Sequence, residues 1–334
     1  MKETTVNSFK KHSSLGTMRC CFMLVFCCLS SWTFAQSYPE RPIRIVNTFP
    51  AGGSGDTVLR IIFEKVGKNI GQPFVVDTRA GASGAIGTSN VALSSPDGYS
   101  LLLGTASTFG TNSATQKSLP YDPINDFTPI VMMATTPYLL LVNPNVPVST
   151  VAEFVKYAKM NAGKLNYGSF GLGSSNHLAY ELFRQKSDID IAHIPYKGGA
   201  PLITALIAGE IQSSMDVYST AYPNVKSGRF KLLGVASAKR FSLLPEVPTL
   251  AEQGFAVEGG TFFALLGPAK LPAHVVELLN REVNRVLEMP ETREKLALQG
   301  VEPLGGSPEK LAQVIHKELD KWSQLVKTTS LKFD

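Results

Sequence analysis

The chain has 334 residues, a formal net charge of +5 and 44% hydrophobic residues, a composition that supports substantial cores and excludes a disordered chain. The first 35 residues contain four basic side chains and one acidic side chain, so +3 of the charge lies there and +2 remains for the rest. A nearly neutral body argues against nucleic acid or a membrane surface as the partner. The length suggests two domains.

Residues 1–35 are predicted to be a signal peptide that is cleaved near Ala35. Basic residues precede the apolar run CCFMLVFCC, and Thr33-Phe34-Ala35 suits a small-x-small cleavage site. The alternative is a membrane anchor, but the run is shorter than the ~20 residues that a span needs. All four cysteines lie in this segment, so the mature chain would have no disulfide and no cysteine ligand. These features predict a protein exported to a bacterial periplasm.

Short apolar runs then alternate with helical patterns. IRIVNTF precedes a helix from about Asp56, PFVVD precedes a helix from about Ser83, and YSLLLG follows a Pro-Asp-Gly turn. This alternation predicts parallel, open α/β sheets.

A second series of elements begins near Pro137. YLLLV leads to a helix in which Thr150 and Glu153 have capping-box spacing, and KLNYG, IAHIPY, IQSSMDV and KLLGVAS are predicted strands with helices between the first three. TFFALLGP is a strand that leaves this region, and the final helix begins at Ser307-Pro308. We predict one lobe from residues 36–137 with 258–334, a second lobe from residues 138–257, and a hinge at the two crossings.

Four predicted strand-to-helix junctions are rich in glycine and serine: PAGGSGD, RAGASGAIG, GSFGLGSSNH and YKGGAP. Glycine lets main-chain N–H groups approach a ligand, and a helix N-terminus offers free donors and partial positive charge. One such loop can be a simple turn, but four favour an anion site at the carboxyl ends of the strands. The candidate ligand-binding residues are Phe49, Pro50, Ala51, Gly52, Gly53, Asp56, Ser83, Gly84, Ser107, Thr108, Ser174, Ser175, His177, Gly199, Ala200 and Asp216.

Several of these candidates have structural alternatives. Ser174 or Ser175 suits a helix N-cap, His177 suits support of its loop, and Asp216 suits acceptance of main-chain hydrogen bonds. Ser107 and Thr108 could instead cap the turn that follows YSLLL. Arg79 could clamp a carboxylate, although we expect a structural ion pair.

Motifs for catalysis, metal binding and nucleotide binding are incomplete. GASGA and GGSGD lack the last glycine of a nucleophile elbow, GLGSSN lacks the third glycine of a dinucleotide fingerprint, and His-Glu-x-x-His is absent from the sequence. We therefore predict no enzyme activity, no cofactor and no metal. The alternative is an exported hydrolase or transferase that uses Ser174 or Ser175.

The set of motifs resembles the Bug (TctC-like) family of periplasmic solute receptors, and the resemblance spans the mature chain. It is carried by YPERPIRI, FPAGGSGD, RAGASGAIG, SPDGYSLLLG, YGSFGLGSSNHLAYELF, HIPYKGGAP and LPEVPTLAEQG. The resemblance implies an α/β, two-lobed type II periplasmic-binding-protein fold with a hinge and a ligand cleft between the lobes. It also implies that main-chain amides, hydroxyls and water hold a carboxylate at Pro50, Ala51, Gly52, Gly53, Ser174, Ser175 and His177.

The implied partners are a small carboxylate and the membrane permease of a tripartite transporter, and the receptor is expected to be a monomer. Delivery to a signalling protein is a further alternative. In one place the chain departs from the family: Asn47-Thr48 stands where Val-Pro is common, which adds polar groups beside the first loop. The ligand's identity is therefore open, with a dicarboxylate or an aromatic acid expected.

Overall fold

The computed structural model describes residues 1–5 and 38–328 of the chain. Contacts divide the chain into Met1–Tyr38 and Pro39–Asp334. The predicted cleavage site and all four cysteines lie outside the described residues. Within the described part, no helix combines the length and hydropathy that a membrane span requires.

The described residues from Pro39 onward form ten strands and ten α-helices. The strands are β1 (Ile43–Asn47), β2 (Phe74–Thr78), β3 (Ser100–Thr105), β4 (Phe127–Val142), β5 (Asn166–Ser169), β6 (Ala192–Pro195), β7 (Ser213–Val217), β8 (Lys231–Ala236), β9 (Gly260–Pro268) and β10 (Glu302–Pro303). The helices are α1 (Ser54–Ile70), α2 (Ala85–Ala92), α3 (Asn112–Thr115), α4 (Val151–Met160), α5 (Ser175–Ser187), α6 (Gly199–Ala208), α7 (Tyr218–Lys226), α8 (Ala273–Glu288), α9 (Pro290–Leu298) and α10 (Pro308–Thr328).

The strands run in the order β2-β1-β3-β9-β4-β7-β5-β6, and β8 and β10 also pair with β4. β1 is parallel to β2 and β3, and β5 is parallel to β6 and β7. β9 is antiparallel to β3 and β4, and β4 is antiparallel to β7 and β8. The predicted parallel pairing therefore holds for β1–β3 and β5–β7, whereas β4 and β9 are antiparallel to each other and to their other neighbours.

Strand β4 belongs to both halves of the sheet. Its segment Phe127–Pro137 pairs with β9, and its segment Tyr138–Val142 pairs with β7 and β8. Sequence analysis found only the second segment, because proline at positions 129 and 137 is unusual inside a strand. Register shifts in the pairing with β9 follow Pro129 and accommodate this irregularity.

The second segment of β4 is buried on both faces, which explains its uninterrupted apolar sequence. Leu140 and Val142 belong to one hydrophobic cluster with Phe154 and Phe183. Leu139 and Leu141 belong to another cluster, beneath α6 and α7. A third cluster, which includes Phe109 and Leu266, fills the half that contains β1, β3 and β9.

Helix starts follow the predicted chemistry with two exceptions. The hydroxyl of Thr150 accepts the Glu153 N–H at 3.1 Å, and α10 begins at Pro308 as predicted. The helix expected from Ser83 begins instead at Ala85, after a 3₁₀ turn. Helix α7 was missed, because its Pro223 interrupts the helical pattern.

Candidate functional site

A cavity of about 240 Å³ lies at the carboxyl ends of β1, β3 and β7. The first turns of four helices, α1, α5, α6 and α7, contribute to its wall. The residues that line it are Asn47, Phe49, Pro50, Ala51, Gly52, Gly53, Ser54, Gly55, Asp56, Leu103, Thr105, Ser107, Tyr138, Phe170, Ser175, Gly199, Ala200, Asp216, Val217, Thr220, Thr261 and Phe263.

At two of the four helix starts, one main-chain N–H group already has an internal partner. The Ser175 N–H of α5 donates to the Ser107 hydroxyl at 3.1 Å, and the Val217 N–H before α7 donates to Asp216 Oδ1 at 2.7 Å. The first-turn N–H groups of a helix have no intrahelical acceptor. The starts of α1 and α6 combine such donors with glycine residues, which let an anion approach the main chain closely.

The loop before α1 and the first turn of α1 use their glycines in different ways. Gly52 has φ +81°, in the left-handed region that glycine tolerates best. Gly53 is extended, with φ −77° and ψ 173°. At Gly55 an added Cβ would lie 2.7 Å from Leu103 Cδ2, so a glycine there lets α1 pack closely on β3.

Eleven of the sixteen candidate residues line this one cavity. They come from three of the four glycine-rich junctions and from the ends of β3 and β7. They are Phe49, Pro50, Ala51, Gly52, Gly53, Asp56, Ser107, Ser175, Gly199, Ala200 and Asp216.

Three further candidates, Ser83, Gly84 and Thr108, do not line the cavity. The Ser83 hydroxyl donates to the Leu172 carbonyl oxygen at 2.8 Å, and the Thr108 hydroxyl accepts the Thr105 N–H at 2.9 Å. Gly84 packs against Thr108. The RAGASGAIG junction therefore contacts neighbouring loops and does not line the cavity. The fourth helix start in the cavity wall is that of α7.

The remaining candidates, Ser174 and His177, stabilise the GSFGLGSSNH loop. Ser174 is the N-cap residue of α5, and its hydroxyl donates to the Gly171 carbonyl oxygen at 2.6 Å. Nδ1 of His177 accepts the Gly173 N–H at 3.0 Å. The hydroxyl of Ser175 instead pairs with the Tyr138 hydroxyl at 2.6 Å. Neither Ser174 nor Ser175 has a histidine among its hydrogen-bond partners in the described chain.

The two histidines near this loop lie in an aromatic stack, in which His177 is buried and His193 is partly buried. The rings of His177 and His193 lie 3.8 Å apart, and Tyr167 stacks on His193 at 4.9 Å. Burial lowers the pKa of His177 to about 2, with a further contribution from His193, and burial lowers the pKa of His193 to about 4. Both rings are therefore neutral in the folded protein at physiological pH.

We predict that stability falls as the pH drops from 6.5 towards 4.5. In this window the unfolded chain protonates His177 and His193 while the folded chain does not, so each contributes a loss of up to about 1.4 kcal/mol per pH unit. Asp216 acts in the opposite direction, because burial raises its pKa to about 7 and the folded state retains a proton that the unfolded state releases. The two histidines together lower the stability more than Asp216 raises it, so the net effect of lowering the pH is destabilising.

Urea unfolding at pH 6.5, 5.5 and 4.5 measures this dependence. His177→Gln should make the free energy of unfolding less dependent on pH, and Asp216→Asn should make it more dependent. The assignment is wrong if the two variants shift the slope in the same direction.

Three cavity-lining side chains have a buried polar atom without a hydrogen-bond partner among the described residues: Nδ2 of Asn47, Oδ1 of Asp56 and Oδ2 of Asp216. The other oxygen of Asp56 accepts the Gly52 N–H at 3.2 Å and Nε of Arg60 at 3.1 Å. Leaving such a group buried and unpaired costs about 1–3 kcal/mol.

Arg79 takes no part in the cavity. Its Nε donates to Asp77 Oδ2 at 2.8 Å, which confirms the predicted ion pair. None of the described residues that line the cavity is a lysine or an arginine. Across the described ranges, 1–5 and 38–328, no group of three or more His, Cys, Asp or Glu side chains could hold a metal ion.

Sequence reasoning missed several residues of the wall. Two of them, Tyr138 and Phe170, form a T-shaped pair with ring centroids 6.5 Å apart. Thr220 was missed because helix α7 was not predicted. Asn47 was noted as a polar departure but was not among the candidates. The other missed residues are Ser54, Gly55, Leu103, Thr105, Val217, Thr261 and Phe263.

Residues 58–331 match the family model described as "Tripartite tricarboxylate transporter family receptor". The chain belongs to this receptor family. Its relatives include protein BugT of Bordetella pertussis, which is 32% identical over 300 residues that cover 89% of this chain and 92% of BugT.

Solved structures of receptors resemble the chain closely. Rhodopseudomonas palustris Rpa4515, solved with adipate, superposes with a TM-score of 0.85 at 35% identity. The match covers 87% of this chain and 98% of the Rpa4515 chain. MatC (Rpa3494) from the same organism, solved with bound malate, has a TM-score of 0.82 at 30% identity. The match covers 86% of this chain and 100% of the MatC chain.

Membership of this family confirms the two-lobed periplasmic-binding-protein fold and a non-enzymatic binding role. The hydrolase alternative is therefore excluded. A family of periplasmic binding proteins also implies a periplasmic location.

Proposed function

We propose that this receptor captures a small carboxylate in the 240 Å³ cavity and delivers it to the membrane permease of a tripartite transporter. The observation that carries the proposal is the convergence of two glycine-rich helix starts, α1 and α6, on one cavity. One belongs to the β1–β3 half of the sheet and the other to the β5–β7 half. The adipate and malate bound by the two Rhodopseudomonas receptors support the ligand class.

Main-chain donors suit this task because they bring no counter-charge that must be desolvated. The lining residues Gly52, Gly53, Gly199 and Ala200 let the backbone approach closely. Burying a carboxylate requires several such hydrogen bonds, since an unpaired buried charge is very costly. The hydroxyls of Ser107, Ser175 and Tyr138 form a hydrogen-bonded chain along the wall, and their two mutual hydrogen bonds leave one hydroxyl hydrogen for a ligand.

We further propose that residues 36–137 with 258–334 and residues 138–257 are the two lobes, and that they close on the ligand. β4 and the segment that precedes β9 cross between the halves side by side, where the Tyr138 N–H donates to the Gly259 carbonyl oxygen at 3.0 Å. The Ser83–Leu172 hydrogen bond and the packing of Gly198 against Pro50 connect the two proposed lobes.

Closure predicts that saturating ligand lowers the radius of gyration. Small-angle scattering with and without the acid measures this. An unchanged profile at saturation would contradict closure.

Export as a monomer completes the proposal, with the leader removed near Ala35. The intact mass of the protein recovered from the periplasmic fraction tests the cleavage, and its sedimentation tests the monomer. A periplasmic species that retains the leader would contradict cleavage near Ala35. A stable dimer would contradict the monomer.

The function is tested by a thermal-shift screen of mono-, di- and tricarboxylic acids, aromatic acids and amino acids. An acid at 100 times its Kd should stabilise the protein by about 2.7 kcal/mol. The acid should be recovered chemically unchanged by NMR after long incubation. If no acid shifts the melting temperature while neutral solutes do, the carboxylate assignment is wrong.

A further inference from the structure

Buried polar atoms of the cavity wall that lack a hydrogen-bond partner indicate which functional groups the ligand carries besides its carboxylate. Asn47 lies at the carboxyl end of β1, fully buried, and its Oδ1 accepts the Phe49 N–H at 3.3 Å. This contact fixes the orientation of the amide, because the opposite orientation would set an NH₂ group against the Phe49 N–H. Nδ2 of Asn47 is thereby left as a donor without an acceptor among the described residues.

Asp216 provides the complementary group at the end of β7. Its Oδ1 accepts the Val217 N–H at 2.7 Å and the Thr220 hydroxyl at 2.8 Å, while Oδ2 has no partner in the described chain. Asp56 repeats this arrangement at the start of α1, with Oδ1 free of partners within the described residues. Each side chain is held in place by one oxygen and leaves the other available.

Above the raised pKa of Asp216, about 7, its carboxyl group is ionised, and the cavity then contains two carboxyl oxygens that lack donors. None of the described lining residues is a lysine or an arginine that could supply one. A ligand must bring the donor itself. An unsubstituted diacid would bring only acceptors and negative charge, which would leave Oδ2 of Asp216 unpaired and place like charges together.

We propose that the ligand is a carboxylic acid that also carries an amino or hydroxyl group, which donates to Asp216 or Asp56 while Asn47 donates to an oxygen of the same ligand. This inference rests on the proposed carboxylate-receptor function. It makes Asn47, Asp56 and Asp216 specificity-determining residues, because sites with unpaired polar groups discriminate against ligands that lack the matching partner.

The test compares acids that share a carbon skeleton. Calorimetric titration is performed at pH 8.5, where Asp216 is ionised, with succinate, malate and aspartate, and with adipate, 2-hydroxyadipate and 2-aminoadipate. In at least one series a substituted acid should bind at least about tenfold more tightly than the unsubstituted acid, which corresponds to about 1.4 kcal/mol. The two substituted acids of each series separate a hydroxyl donor from an ammonium donor.

Variants then assign the preference to residues. Asp216→Asn retains an Oδ1 acceptor for Val217 and Thr220 but replaces the free acceptor by a donor, so it should reduce the preference at least tenfold or reverse it. Asn47→Val should weaken binding of the best acid about tenfold. Asp77→Asn is the matched control, because Asp77 pairs with Arg44 and Arg79 outside the cavity and should leave the preference unchanged.

The outcomes separate this inference from the proposed function. Tightest binding of an unsubstituted aliphatic or aromatic acid would overturn the inference and leave the receptor function intact. A preference that survives in folded Asp216→Asn, Asp56→Asn and Asn47→Val would also overturn it. If no acid binds, the proposed function fails and the inference fails with it.

Discussion

Replacing Gly53 by valine should weaken carboxylate binding at least about 30-fold, or about 2 kcal/mol, while the melting temperature stays close to that of the wild type. Gly53 is extended, a conformation that valine adopts readily. Among the described atoms, only the Pro50 carbonyl oxygen lies within 4 Å of the added Cβ, at 3.4 Å. The valine side chain should therefore occupy the cavity beside the first-turn N–H groups of α1 without disturbing the fold.

Arg79→Ala is the control for this variant. Arg79 is paired with Asp77 outside the cavity, so its removal should change the affinity less than threefold. Calorimetric titration of both variants with the acid that binds best to the wild type measures the difference. If Gly53→Val binds normally and Arg79→Ala does not, an arginine clamp holds the acid, and the α1 loop has a different role.

Gly55→Val, two residues further along, should affect folding. Its Cβ would lie 2.7 Å from Leu103 Cδ2 and 3.6 Å from Phe263 Cε1, where α1 packs on β3 and β9. Overpacking a close contact of this kind costs about 1–3 kcal/mol. Urea unfolding should therefore show a lower free energy of unfolding for Gly55→Val than for Gly53→Val.

The two variants together separate binding from folding at the start of α1. Equal stability of Gly55→Val and the wild type would show that α1 can move away from β3 at little cost. The loop would then be less rigid than the packing at Gly55 indicates.

Local sequence chemistry predicted half of the residues that line the cavity. Glycine-rich junctions after apolar runs identified the starts of α1, α5 and α6, and eleven candidates from these junctions and the strand ends line one cavity. The reason is that strand ends, helix starts and tight turns are set by residues near one another in the chain. The resemblance to a receptor family added the two-lobed arrangement.

The remaining parts depend on contacts between distant residues. The segment Phe127–Pro137 pairs with β9, more than a hundred residues further along, and this pairing overrides two prolines that argue against a strand. The start of α7 lines the cavity and the RAGASGAIG junction does not. Composition alone could not show which of the two reaches the cavity. Asn47 carries a donor without a partner only because neighbouring elements bury it.

The most direct test is a crystal structure of the protein with the acid that gives the largest thermal shift. We predict that a carboxylate oxygen lies within about 3 Å of main-chain N–H groups at the start of α1 or α6, inside the cavity lined by Gly53 and Gly199. The acid should be chemically intact. An acid bound outside this cavity, or held there by the guanidinium of Arg79, would contradict the account.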